Sequence, residues 1–159
     1  MKTDPAPSVA LVQITDDSVA AQIHAVLQAA YALEAALISC SLFPPLQETL
    51  ADLRRSLDTF LVFRQGDYLV GALSFDRCAE AVVISRLGVS PAHLRRGIAT
   101  ALLADFERRL PPMTQLAVST AQANAPAIQL YEKFGHAVAS RSVSAEGIPL
   151  VHLSKCVRD

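Results

Sequence analysis

The chain has 159 residues, 52% of them hydrophobic and 18% charged, which suits one domain with a proper core and excludes a disordered chain. A net charge of −1 and a pI of about 6.4 give no electrostatic case for non-specific binding to nucleic acid, and no apolar run is long enough for a membrane span. Cys40, Cys78 and Cys156 are odd in number and form no CxxC pair; with no basic-then-apolar leader, they read as reduced thiols of a cytoplasmic protein. Residues 1–8 look like a loose tail with two prolines, and Val9 to Ile14 is a short strand. Asp16, Asp17 and Ser18 are N-cap material for a helix whose apolar face runs through Val19, Ile23, Val26, Leu27, Ala30, Leu33 and Leu37. Phe43-Pro44-Pro45 breaks the chain, and Leu46, Leu50, Leu53 and Leu57 restart the helical period. Thr59 to Arg64 and Tyr68 to Phe75 are strands joined by a turn at Gln65-Gly66-Asp67. A third strand, Ala81 to Val89, follows.

After Pro91 the pattern changes. Ile98, Leu102, Leu103, Phe106 and Leu110 recur at helical spacing until Pro111 and Pro112 stop the helix. A loop that enters a helix in this way aims unpaired N–H groups and the positive end of the helix dipole at one spot, which favours a phosphate. Gly97 lets an anion approach the backbone, and Arg95 and Arg96 add charge. The strand Gln115 to Thr120 then implies a parallel pair with the preceding strand. Residues Asn124 to Phe134 form another helix, and Val138 to Ser144 with Leu150 to Ser154 form a closing hairpin.

Leu94-Arg95-Arg96-Gly97-Ile98-Ala99 resembles the Gln/Arg-x-x-Gly-x-Gly/Ala pattern with which GNAT-type N-acetyltransferases hold the pyrophosphate of acetyl-CoA; Leu94 stands where that family has Gln or Arg. Asn124-Ala125-Pro126-Ala127-Ile128-Gln129-Leu130-Tyr131-Glu132-Lys133-Phe134-Gly135-His136 resembles the second signature of the same family, Asn-x-x-Ala-x-x-Leu-Tyr-x-x-x-Gly-Phe, with His136 in place of Phe. The two motifs stand in the family's order and spacing. A dinucleotide-binding Rossmann domain is the structural rival; it is disfavoured because the first half is antiparallel and no GxGxxG opens the first helix.

The resemblance implies an α/β (α+β) GNAT fold over residues 1–159. It would have a mixed sheet of about seven strands, helices on both faces, and a V-shaped cleft between the strands ending at Val89 and Thr120. It implies acetyl-CoA as cofactor, with its pantetheine arm on backbone groups around Leu87, Gly88 and Val89. Its pyrophosphate would lie on Leu94, Arg95, Arg96, Gly97, Ile98, Ala99 and Thr100, and Asn124 would hold the far end of the arm. A backbone N–H near Val89 would stabilise the oxyanion, and Tyr131 would protonate the departing thiolate. The acceptor would be the primary amine of a small molecule, an amino acid or a peptide N-terminus. A homodimer is compatible with this reading; nucleic acid, a membrane and a metal are not called for.

The general base does not follow from the motifs. Family members place Glu at positions that correspond here to Val83 and Ser119, neither of which is a carboxylate. Glu34, Asp76 and Glu80 remain as acceptor-side candidates, and Arg86 would favour an anionic acceptor if it faced the cleft, or else sits in a salt bridge. His24, His93, His136 and His152 have no metal-ligand spacing. A CoA-binding sensor or interaction module without transferase activity is the alternative function.

Overall fold

The computed structural model describes residues 6–158. The loose tail expected over residues 1–8 lies mostly outside that range, and its last residue, Ser8, opens the first strand instead. The element order is β1 (Ser8–Val12), α1 (Asp17–Leu37), α2 (Leu50–Arg54), β2 (Thr59–Gln65), β3 (Tyr68–Arg77), β4 (Val82–Val89), α3 (Ile98–Arg108), β5 (Gln115–Ala121), α4 (Ala125–Lys133), β6 (Ala137–Val143) and β7 (Pro149–Cys156). The strands form one seven-stranded sheet in the order β1-β2-β3-β4-β5-β7-β6. Only β4 and β5 pair in parallel; every other pair is antiparallel.

Strand alternation splits the core between two sheet faces. Phe60, Val62 and Ala72 face α1 and α2, together with Ile23, Leu27, Tyr31 and Leu53. Leu61, Leu73, Phe75, Ile84 and Val118 face the other way, with Ile98, Leu102, Leu103 and Phe106 of α3 and Tyr131 of α4. Two glycines set how closely helices lie on the central strands. A Cβ on Gly71 would come within 2.8 Å of Ile98, and one on Gly88 within 3.0 Å of Leu27 and Ala30. The backbone of β4 is thus in direct contact with α1, which carries Glu34.

Two expectations from periodicity need correction. In α1 the buried residues are Ala20, Ile23, Leu27, Tyr31 and Ala35. Leu33 and Leu37 are about half exposed, at 48% and 53%. Asp16 caps the helix as expected, accepting from the Val19 N–H at 3.1 Å, and the buried stripe is the one that Gly88 of β4 admits at Leu27. The second helix does not span Leu46 to Leu57. Pro44 to Gln47 is a single 3-10 turn, and Thr49 is extended because it caps α2 in a reciprocal Thr49–Asp52 box. Leu57 lies in the loop before β2, exposed to solvent. This interruption frees Glu48 from any helix. Its carbonyl is tied to α1 by His24 at 2.9 Å and Gln28 at 3.2 Å, and its carboxylate points to the sheet.

Candidate active site

The site begins where two strands part. β4 pairs with β5 only from Val82↔Leu116 to Ile84↔Val118. On the other side of β4 the register with β3 shifts between Phe75↔Ile84 and Ser74↔Arg86, so Ser85 is an extra residue. A bulge bends and twists its strand, and here it falls at the point of separation. From Arg86 to Val89, β4 keeps its bonds to β3 but has no sheet partner toward β5. Buried backbone groups of this kind need a partner.

A cavity of about 310 Å3 occupies the gap. Tyr31 and Glu34 of α1 wall it on one side, with Phe43, Pro44 and Pro45 of the following loop. Arg86 and Leu87 of β4 and Ser119 of β5 line it, with Asn124 at the cap of α4, Tyr131 within α4, and Ile148 and Leu150 of the β6–β7 hairpin. Of the acceptor-side candidates, Glu34 and Arg86 are at the cavity. Asp76 and Glu80 are exposed around the β3–β4 turn, at the closed end of the strand pair, and do not line it. Val83 pairs with Ala117 and Asp76 below the parting, whereas Ser119 borders the cavity.

Arg86 is fully engaged. Its Nε and Nη2 donate to the two Glu48 oxygens at 2.9 and 2.6 Å, and its Nη1 donates to Asp58 Oδ2 at 2.8 Å and Ser74 Oγ at 3.1 Å. Two carboxylates therefore surround one guanidinium, and Glu34 adds a third acid to the region. Of the two alternatives for Arg86, the structure shows the salt bridge, although the residue also borders the cavity. Burial pushes the Glu34 carboxyl above the ordinary carboxylate range, opposed by hydrogen bonding from the Asn124 side chain. Asn124 also caps α4, accepting from the Ala127 N–H at 3.3 Å.

Tyr131 is the one fully buried residue of α4, and burial, reinforced by the Glu34 charge, raises its pKa well above that of a free phenol. It therefore holds its proton at neutral pH. Tyr31, which sequence reasoning placed on no site, is held protonated in the same way by burial and stands edge-on to Phe43 at 6.3 Å. His136 occupies the position of the expected Phe and behaves as one. It is buried, its ring meets Tyr131 edge-on at 5.5 Å, and both nitrogens lack hydrogen-bond partners. Burial depresses its pKa, with Glu107 opposing and Lys155 assisting.

At the open end of β4 the chain makes a 3-10 turn over Pro91–His93 and enters α3 through two left-handed residues, Arg95 (φ 63) and Gly97 (φ 75). Left-handed residues near a helix start turn successive N–H groups into a concavity for anions. Gly97 is the N-cap and supplies no side-chain acceptor, so the first-turn amides of Ile98, Ala99 and Thr100 stay available; a Cβ at Gly97 would meet nothing within 4 Å. Arg95 and Arg96 are exposed, and among the described residues neither forms an ion pair. The open space at Gly97, the free amides and the unpartnered edge of β4 all fit a phosphate-ended ligand with an amide-bearing arm.

A contact that no motif signals crosses three strands. Ser119 Oγ lies 2.6 Å from His152 Nδ1, and His152 Nε2 lies 2.6 Å from Ser142 Oγ. These residues are far apart in sequence, and only the β5–β7–β6 pairing brings them together.

Known proteins agree with this architecture. The UPF0157 protein YqkA of Bacillus subtilis (strain 168) is 32% identical over 138 residues, 87% of this chain; the chain spans 40% of that relative's length. The crystal structure of the ribosomal-protein-S18-alanine N-acetyltransferase from Escherichia coli superposes with a TM-score of 0.72 at 18% identity, covering 96% of this chain and 95% of that one. The structure of yncA from Salmonella typhimurium with its cofactor acetyl-CoA gives a TM-score of 0.72 at 18% identity, covering 98% and 96%. The family described as the acetyltransferase (GNAT) domain matches residues 43–157, which takes in the parted strands, the loop at Gly97 and the helix of Tyr131. With seven mixed strands parting at the bulge of β4, the chain belongs to the GNAT acetyltransferase family.

Proposed function

We propose that this protein transfers an acetyl group from acetyl-CoA to the primary amine of a small molecule, an amino acid or a peptide N-terminus. The observation that carries the reading is the end of β4–β5 pairing at Ile84, which opens one cleft between the free amides of α3 and the acidic cavity. When bound, acetyl-CoA supplies an activated thioester.

The chain's own groups divide the remaining work. The amides of Ile98 to Thr100, with Arg95 and Arg96, hold phosphate oxygens. The free edge from Leu87 to Val89 takes up the amide-bearing arm as an added strand would, and the Val89 region offers an N–H to the reacting carbonyl. Asn124 lines the cavity at the cap of α4. Glu34 attracts the acceptor's ammonium, and the apolar faces of Phe43, Pro44, Ile148 and Leu150 shelter its carbon chain. Tyr131 keeps its proton at neutral pH and gives it to the leaving sulfur. The cavity volume, at the lower end of the usual range of about 300–1,000 Å3 for small-molecule sites, suits a compact amine or the first residue of a peptide.

The test is thiol release from acetyl-CoA with a panel of primary amines, amino acids and short peptides. Saturable release with cationic acceptors is expected. Tight acetyl-CoA binding with no release across the panel would support a CoA-sensing module instead.

A further inference from the structure

An ammonium acceptor must lose a proton before it can attack, and the positions expected to carry a carboxylate hold Val83 and Ser119. We infer that Ser119 and His152 form a proton relay that removes this proton from the acceptor and delivers it to solvent at Ser142. The inference rests on the acetyl-transfer reading and supplies the group that the reading lacks.

The placement is direct. Ser119 is exposed on the cavity wall, on the sheet face that also carries Arg86 and looks toward α1. His152 stands opposite it in the β5–β7 register and is half-buried. Its other nitrogen meets Ser142 on the outermost strand, and Ser142 is open to water. The row therefore leads from the cavity to bulk solvent. Imidazole is the side chain whose ordinary pKa falls between pH 5 and 8, so it can take and release a proton in each turnover.

The step balances without a further reactant. The N–H bond of the acceptor ammonium breaks and leaves its electron pair on nitrogen. The proton joins Ser119 Oγ as the hydroxyl's own proton passes to His152 Nδ1, giving an imidazolium. The imidazolium then releases its Nε2 proton through Ser142 to water, and once product has left the ring is reset by exchange with water, Nε2 regaining a proton through Ser142 as Nδ1 returns its own through Ser119. This requires the resting tautomer with the proton on Nε2, donating to Ser142, and Nδ1 accepting from Ser119. His152 acts through Ser119, so it is a positioning and relay residue.

No charged side chain stands opposite or diagonal to the imidazole in the sheet. Opposite it stand Ser119 and Ser140, diagonal to it Ala117, Ala121, Ala137 and Ser142, and Leu150 and Ser154 share its face of β7. None of these carries a charge. The charged groups on the cavity wall are Glu34 and Arg86, and Arg86 is matched by Glu48 and Asp58. Glu34 is the rival base; its place beside Asn124 and Tyr131 gives it a binding role toward the ammonium.

The experiment has two arms. In the free protein, nitrogen-15 NMR of the His152 ring is expected to show the Nε2–H tautomer, changed in Ser119→Ala; a dominant Nδ1–H tautomer in the wild type overturns the relay. In the second arm, His152→Ala and Ser119→Ala are assayed with an amine that the wild type acetylates. Each is expected to lower kcat/KM for the amine at pH 7 by at least about tenfold, within reach of the usual range for proton-transfer groups, with KM for acetyl-CoA unchanged. The deficit should close as pH approaches the amine's own pKa, because free amine needs no relay. A deficit constant with pH, full activity in both variants, or a pH-dependent deficit confined to Glu34→Gln overturns the relay and leaves the transferase standing. A wild type that acetylates nothing removes the transferase and the relay together. Ser119 is exposed, so its variant is informative even where loss of His152 disturbs folding.

Discussion

The Arg86 guanidinium is clasped by Glu48 through two parallel hydrogen bonds, Nε to Oε1 at 2.9 Å and Nη2 to Oε2 at 2.6 Å, across 38 residues of sequence. Glu48 reaches the sheet because Thr49 starts a new helix at that point. The pair thus ties the loop that walls the cavity to a strand that lines it. Both partners are largely buried, and Asp58 sits on the same guanidinium. Removing one partner of such a cluster strands the others.

Arg86→Met should therefore destabilise the fold by about 3 kcal/mol at pH 7. Without the guanidinium, Glu48 and Asp58 lose the countercharge that they share. Urea melts of Arg86→Met alone and combined with Glu48→Gln and Asp58→Asn check the cause: neutralising the stranded acids should recover part of the loss, and no recovery would mean that the arginine acts only through packing, for example over the Phe60 ring at 5.6 Å.

Gly97 separates cofactor binding from folding. Its φ of 75° strains any other residue, yet no atom lies near the position of its Cβ. Gly97→Ala should cost about 1 kcal/mol of stability through the left-handed backbone alone. Gly97→Glu should add no clash to the free protein but should abolish CoA binding, because a carboxylate would occupy the anion's place. Changing Arg95 and Arg96 together to Ala should weaken CoA with a smaller effect on pantetheine, by about 1.5 kcal/mol per arginine, at the low end for charge-assisted bonds because both are exposed. Calorimetry on folded variants measures all three; equal loss of CoA and pantetheine would take the arginines off the phosphate.

What the sequence makes legible is what local chemistry encodes. The β-branched runs of β2 to β4, the prolines after α3, and the Gly97 loop announce themselves within a few residues. The bounds of α3 and β5 fall close to those expected, and β4 and β5 pair in parallel as their order implied. The apolar face of α1 is misjudged because alanines and leucines surround the helix, and only the docking against Gly88 decides which line is buried. The helix expected through Leu57 fails because a capping box outranks a leucine repeat. Arg86 leaves both of its readings open until Glu48 and Asp58 are placed beside it. Ser119 and His152, 33 residues apart, have no shared motif at all. Each of these depends on pairing between distant segments, which periodicity does not carry.

His136 stands where the family signature has Phe, and its environment explains why the exchange is tolerated. Both ring nitrogens are buried without partners, and Glu107 is occupied by Lys155 at 2.8 Å while lying 3.8 Å from the imidazole. His136→Phe keeps the contact with Tyr131 and removes two unsatisfied polar atoms, so it should stabilise the fold by about 1–2 kcal/mol. The pH dependence should change as well. With its folded pKa depressed, wild-type His136 stays neutral while the unfolded chain takes up a proton below about pH 6.5. Stability is lost as pH falls through that window. The Phe variant should lack this contribution, so the gap between the two proteins should widen from pH 7 to pH 5 in thermal melts.

Tyr131 decides between a transferase and a binding module. Burial and the Glu34 charge keep its phenol protonated, so the group can donate but does not ionise near neutral pH. A general acid matters as the sulfur leaves, and its loss should lower turnover far more than binding. Tyr131→Phe retains the ring, its packing in the core beneath β4 and β5, and its edge contact with His136. The variant should melt near the wild-type temperature and bind acetyl-CoA with modest weakening. Its turnover should fall by about 10²–10⁴-fold, the usual range for general acid–base groups. Because the raised pKa holds the proton in place, the wild-type kcat profile should show no basic limb from this residue below about pH 10. A Phe variant with full turnover on the same amine would leave water as the proton donor to sulfur. Equal losses in acetyl-CoA affinity and in turnover would mean that the hydroxyl serves binding and not departure of the thiolate.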